Sequence, residues 1–190
     1  MVRRWHVFGA AVAVLSLAAG CGGGAGGAAP PPPTDEPPTT TTEPAPPPSS
    51  VASEEDAVLA AYQGYWDTWL VANDPPNPNH PDLERFASGA ALARDKEVIS
   101  HNRSVGERYR LPLNSVSQHR AVVVEMGDGI ARISDCSIDD GIVVAHGSEF
   151  VLDDSITTFV WEATLVFEDG WKVSELHMVE QSEGVSGCAV

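Results

Sequence analysis

Residues 22–50, GGGAGGAAPPPPTDEPPTTTTEPAPPPSS, contain no large apolar side chain, so this stretch has nothing with which to bury a core. Folding is confined to residues 51–190, a length that suits one domain around a single core. The glycine-rich half is expected to be flexible coil and the proline-rich half stiff polyproline II, rising ~3.1 Å per residue. The stretch reads as a disordered tether. Ahead of it, Arg3 and Arg4 precede an uncharged run from Val7 to Ala19, which has the anatomy of a secretory signal. At ~1.5 Å of helical rise per residue that run makes roughly 20 Å, short of a hydrocarbon core of about 30 Å, so a permanent span is not expected.

The run closes on Leu17-Ala18-Ala19-Gly20-Cys21, small residues immediately before a cysteine. This resembles the lipobox of bacterial lipoproteins, although Ala18 fills the slot where leucine is preferred and Leu17 precedes it. The resemblance implies that residues 1–20 are removed as a signal peptide and that Cys21 carries lipid, palmitate included. The protein would then be anchored on the extracytoplasmic face of the cell membrane, where two acyl chains hold stably and one is marginal. The net charge of −16 becomes about −18 once Arg3 and Arg4 are lost. Such a chain repels phosphate backbones and anionic lipid, so no nucleic-acid partner is expected and membrane contact falls to the anchor. With Cys21 taken by lipid, Cys136 and Cys188 remain as a pair in an oxidising compartment, and a disulfide between them is expected. Its loop of about 50 residues would remove up to ~4 kcal/mol of unfolded-state entropy.

In the folding part, Ser53-Glu54-Glu55-Asp56 resembles a capping box and predicts a helix start. Val58, Ala61, Tyr62, Tyr65, Trp66 and Trp69 then fall on one helical arc, opposite Asp56, Gln63 and Asp67, and the aromatics read first as core anchors. The prolines at 75, 76 and 78 end this helix. A short helix from Pro81 through Phe86 follows, then a third over residues 90–105 capped by Gly106, with His101 on its polar side. From Ser117 the period changes to two. Residues 119–126 and 130–138 form a hairpin at Asp128-Gly129, which places Glu125 opposite Arg132. Strict alternation then gives one face Val122, Val124, Met126, Ala131, Ile133, Asp135 and Arg120, and the other face Cys136, where a crossing tail could meet it with Cys188. A shorter pair covers 142–146 and 149–152. The last hairpin, 156–168 with 171–179, is expected to turn at Asp169-Gly170 in type I′ geometry. Phe159, Trp161, Ala163, Leu165, Leu176 and Met178 would face the helices, while Val166, Trp171 and Val173 gather on the reverse face. Glu162 would sit opposite His177 there, as an outward ion pair.

Three helices followed by an antiparallel sheet, with the stretches AVLAAYQGYWDTWLVANDPPNPNHPDLERFASGAAL, DCSIDD and DGWKVSEL, is similar to the NTF2-like domains of secreted bacterial lipoproteins. The resemblance spans residues 51–190 and implies an α+β cone, three N-terminal helices packed on a curved antiparallel sheet. It leaves the chemistry open, because such cones host isomerases, dehydratases, cyclases and binding modules. An isomerase-type site needs a buried carboxylate base and a donor for enolate charge. Asp135 is the best carboxylate and Tyr62 or Tyr65 the best donors, but Arg120 placed diagonally from Asp135 suits an ion pair better than a base. There is no GxSxG, CxxC or HExxH, so neither a nucleophile elbow nor a zinc site is expected, and no cofactor. Asp139-Asp140 and Asp153-Asp154 read as solvated turn residues. The expectation is a binding or interaction module, more binding than enzymatic, that holds a small apolar ligand or an envelope protein through Tyr62, Tyr65, Trp66, Trp161, Arg120 and Asp135. The alternative is an isomerase, cyclase or dehydratase using Asp135.

Overall fold

The computed structural model describes residues 50–145 and 147–188; the expected signal, Cys21 and the tether up to residue 49 lie outside them. Among the described residues no helix is long and apolar enough to cross a membrane. Helix α1 spans Ser50–Ala72 and so already passes through the stretch expected to start it. Its apolar arc is buried as the periodicity requires: Val58, Ala61, Tyr62 and Tyr65 are in the core, Trp66 and Trp69 are half-buried, and Gln63 and Asp67 are exposed. At Gly64 the helix meets α2, Leu83–Phe86, so closely that a Cβ would lie 2.5 Å from the Phe86 ring. Helix α3, Gly89–Val105, ends on Gly106 in the left-handed region at φ 72°, where glycine carries no Cβ penalty. Asn73, fully buried after α1, accepts from Asn102 Nδ2 at 2.9 Å and takes the Tyr109 N–H on its carbonyl at 3.2 Å. One side chain and its backbone thereby tie the end of α1 to α3 and to the first strand.

Among the described residues, seven strands form two antiparallel sheets that do not close on each other. The smaller has the order β1-β4-β5, from β1 Glu107–Arg110, β4 Ile142–Ala145 and β5 Val151–Asp153. The strand β1 was not expected from the sequence: Glu-Arg-Tyr-Arg lacks apolar alternation, and its partner lies over 30 residues away, Glu107 opposite Ala145. The larger has the order β2-β3-β6-β7, from β2 Gln118–Gly127, β3 Ile130–Asp139, β6 Thr157–Phe167 and β7 Trp171–Glu183. Helix α1 packs on β2 and β7 and α3 on β7, covering one face around Ala131, Ile133, Ala163, Leu165 and Val173.

Two bulges correct the faces read from strict alternation. The β2–β3 turn is as expected, with Asp128 at φ 52° and Gly129 at φ 74°, and Glu125 faces Arg132. Beyond it Val124 has no partner, and Val123 faces Ile133. An extra residue reverses every side chain before it. Val122 and Val124 are therefore exposed on the outer face, with Arg120, while His119, Ala121 and Val123 take the inner one. In the last hairpin the loop is three residues, with Phe167 opposite Trp171, and a second bulge at Ser174 follows. Trp171 and Val173 consequently point into the core rather than to the reverse face. The two irregularities cancel, so Glu162 still faces His177, although the nearer acid to His177 is Glu175 at 3.6 Å.

The tail crosses the outer face and ends in a 3-10 turn, Ser186–Cys188. Cys136 and Cys188 stand as a disulfide-capable pair with Cα atoms 5.6 Å apart. Thr158 Oγ1 donates to the Gly184 carbonyl at 2.6 Å, fixing the tail over Thr158 and Ile138, both buried although they point outward.

Candidate functional site

Alternation along β3 puts Ala131, Ile133, Asp135 and Ser137 on the inner face, and an acid in that row must be satisfied by protein. Asp135 has no exposed surface. Its Oδ1 accepts the Arg120 backbone N–H at 2.8 Å. Its Oδ2 accepts the Tyr62 hydroxyl at 2.9 Å and stands 2.6 Å from His119 Nδ1. Burial, and then the negative charge of Asp135, push the Tyr62 phenol far up, so it serves as a neutral donor. The bulge at Val124 is what makes this arrangement, because it turns His119 inward and Arg120 outward. The Arg120 guanidinium instead donates to the Cys188 carbonyl at 3.2 Å, and only its backbone reaches Asp135.

Aromatic rings surround the imidazole. Trp66 stacks on His119 with centroids 4.7 Å apart and planes 25° apart, and Tyr62 meets it edge-on at 6.2 Å. Trp161, opposite Asp135 on β6, lies 5.6 Å from Trp66, and its indole N–H donates to Ser137 Oγ at 3.1 Å. Phe159 continues the row at 5.3 Å from Trp161. Trp66, Trp161, Phe159 and His119 are all half-buried, so this end of the inner face presents aromatic surface above a fully engaged carboxylate. Four of the residues singled out from sequence, Tyr62, Trp66, Asp135 and Trp161, thus meet at one place.

Tyr65, one turn from Tyr62, belongs to a second buried network. Its hydroxyl donates to Asp95 Oδ1 at 3.2 Å, and Arg94 Nη2 donates to both the Tyr65 oxygen and Asp95 Oδ1 at 2.7 Å. Asp95 is fully buried, and its Oδ2 has no partner among the described residues. Burial raises its pKa against the opposing pull of Arg94. Burial and the charge of Asp95 push the Tyr65 phenol well up. The pair Asp139-Asp140 is not solvated as expected. Asp139 accepts from the Tyr109 hydroxyl and from the Gly141 N–H at 2.8 Å. Asp140 is buried, accepting from Ser115 Oγ at 2.5 Å and the Val116 N–H at 2.6 Å, so it organises the loop before β2. Among the described residues no three His, Cys, Asp or Glu side chains are grouped to hold a metal ion.

Sequence reasoning missed His119 and Asp95. For His119 no local signal existed. For Asp95, its spacing of four from both Ala91 and Ile99 on one helical face was available. Chemically, the first network offers an imidazole held by a carboxylate at Nδ1, with Nε2 free of hydrogen bonds to described residues, bordered by stacking surface.

No protein-family model matches the sequence, and no curated protein is significantly similar to it. Among solved structures, the intermembrane-space region of the chloroplast protein ARC6 is similar in fold, with a TM-score of 0.50 at 15% identity, covering 70% of this chain and 98% of that one. At that identity the likeness concerns the α+β arrangement alone.

Proposed function

We propose that this chain is a lipid-anchored, extracytoplasmic binding module of NTF2-like type, fastened through Cys21 and holding a small apolar ligand against the aromatic inner face. The observation that carries the reading is the half-buried row Trp66, His119, Trp161 and Phe159 above a carboxylate whose two oxygens are both engaged. Stacking surface with one oriented polar group is what a ligand of this class needs. An envelope protein inserting an aromatic side chain would use the same surface. A catalytic role for Asp135 as base is disfavoured, because it has no exposure to a substrate, already accepts from Tyr62 and the Arg120 N–H, and has its remaining approach filled by His119 Nδ1 at 2.6 Å. One observation favours an enzymatic second reading in a different form: the contact of His119 Nδ1 with Asp135 at 2.6 Å would suit His119 as the base and Asp135 as its positioning residue. Titration with the apolar dye Nile red, followed by energy transfer from tryptophan, tests the binding reading. Saturable binding that weakens at least about tenfold in Trp161→Ala is expected, since a lost stacking contact is worth on the order of 1.4 kcal/mol; non-saturating uptake by both chains would contradict it.

A further inference from the structure

We infer that the site takes a flat aromatic ligand bearing a hydrogen-bond donor, a phenolic hydroxyl being the simplest, and that His119 Nε2 is the acceptor. This rests on the ligand-binding reading above and adds the polar group that the ligand must carry. The Arg120 backbone N–H can only donate, and it occupies Asp135 Oδ1 at 2.8 Å. Among the described residues Asp135 is the one acceptor within reach of the Tyr62 hydroxyl, so it donates into Oδ2 at 2.9 Å. Asp135 therefore accepts throughout, and the 2.6 Å approach of His119 Nδ1 to the same oxygen places a proton on Nδ1. At a pH where the ring holds a single proton, that proton on Nδ1 leaves the lone pair on Nε2.

The ring is held in this pose. Trp66 covers one face at 4.7 Å and Tyr62 abuts it edge-on at 88°, while the side chain keeps 18% of its surface exposed. No described residue donates to Nε2. A ligand stacked on the half-buried Trp161 and Phe159 with one edge turned to His119 gains from a donor at that edge, and a ligand offering only acceptors binds there more weakly. The polar preference thus traces to Tyr62 and the Arg120 backbone, which act on the ligand through Asp135 as positioning groups.

The pair 2-naphthol and 2-methoxynaphthalene tests this, because the two share a ring system and differ in the donor. In the mature chain, residues 21–190, carrying Cys21→Ser and so lacking both the apolar leader and the lipid, tryptophan quenching should show 2-naphthol bound about tenfold more tightly. In His119→Phe the two probes should bind alike. Equal affinities in the parent chain would overturn the donor requirement and leave the ligand-binding reading in place. Binding of neither probe would overturn both. If His119→Phe does not fold, imidazole nitrogen shifts of the parent chain at the pH of the binding assay decide the point: a protonated Nδ1 and a bare Nε2 are expected, and either the opposite tautomer or a doubly protonated ring overturns the inference.

Discussion

At the scale of single residues, Asp135 and Asp95 are two buried acids solved differently. Asp135 has a donor for each oxygen, whereas Asp95 leaves Oδ2 without a partner among the described residues. A double-mutant cycle separates the two candidate partners of Asp135. His119→Ala with Asp135→Ala should couple by about 1–3 kcal/mol in urea unfolding, and Arg120→Ala with Asp135→Ala by less than about 0.5 kcal/mol. Coupling through Arg120 instead would restore the register of strict alternation. For Asp95 the sign follows from its raised pKa. A group whose folded pKa lies above its unfolded value contributes stability that is complete when protonated and is lost as pH rises through the folded pKa. Asp95→Asn keeps an acceptor for Tyr65 and Arg94 and removes the charge. Its urea midpoint should therefore gain on that of the parent as pH rises from about 4 to about 7. A constant difference across that range would mean that the carboxylate is not penalised by burial.

Among the elements, helices were more legible than sheet faces, and the reason is local. The arc from Val58 to Trp69 repeats a 3.6-residue period with polar residues opposite, and each of its aromatics lies at least half-buried. In β2 the run Val122-Val123-Val124 offers three identical side chains, so nothing in it says which valine is unpaired or which way His119 and Arg120 face. In β7 a signal did exist: Val173 and Leu176 are three apart, with Ser174 and Glu175 between them, a spacing no regular strand can bury on one face. The disposable valine gives a prediction. Deleting one of the three removes the residue with no partner, leaving Val123 opposite Ile133 and His119 on Asp135. The shortened chain should fold, lose no more than about 1–2 kcal/mol, and retain the His119 to Asp135 coupling. An insoluble product, or coupling transferred to Arg120, would refute the bulge.

On the scale of the whole molecule, residues of very different sequence position are brought to one inner face: Trp66 from the first helix, His119 and Asp135 from the first hairpin, Phe159 and Trp161 from the last. The order of helices, the main hairpins and the meeting of Cys136 with Cys188 were all readable, because they depend on period, turn chemistry and cysteine number. The smaller sheet was only half readable. Its pairing of β1 with β4 is long-range, and the polar sequence Glu107–Arg110 is held by ion pairs of Arg108 and Arg110 with Glu149 rather than by apolar alternation. The likeness to another α+β domain at 15% identity adds no chemistry, so the proposed role of the chain rests on the aromatic inner face. Native mass spectrometry of the protein purified from its own cells tests that role most directly. The parent chain should carry a bound small molecule of defined mass, and a folded Trp66→Ala, Trp161→Ala chain should be empty; a parent without added mass, or two chains equally loaded, would contradict the account.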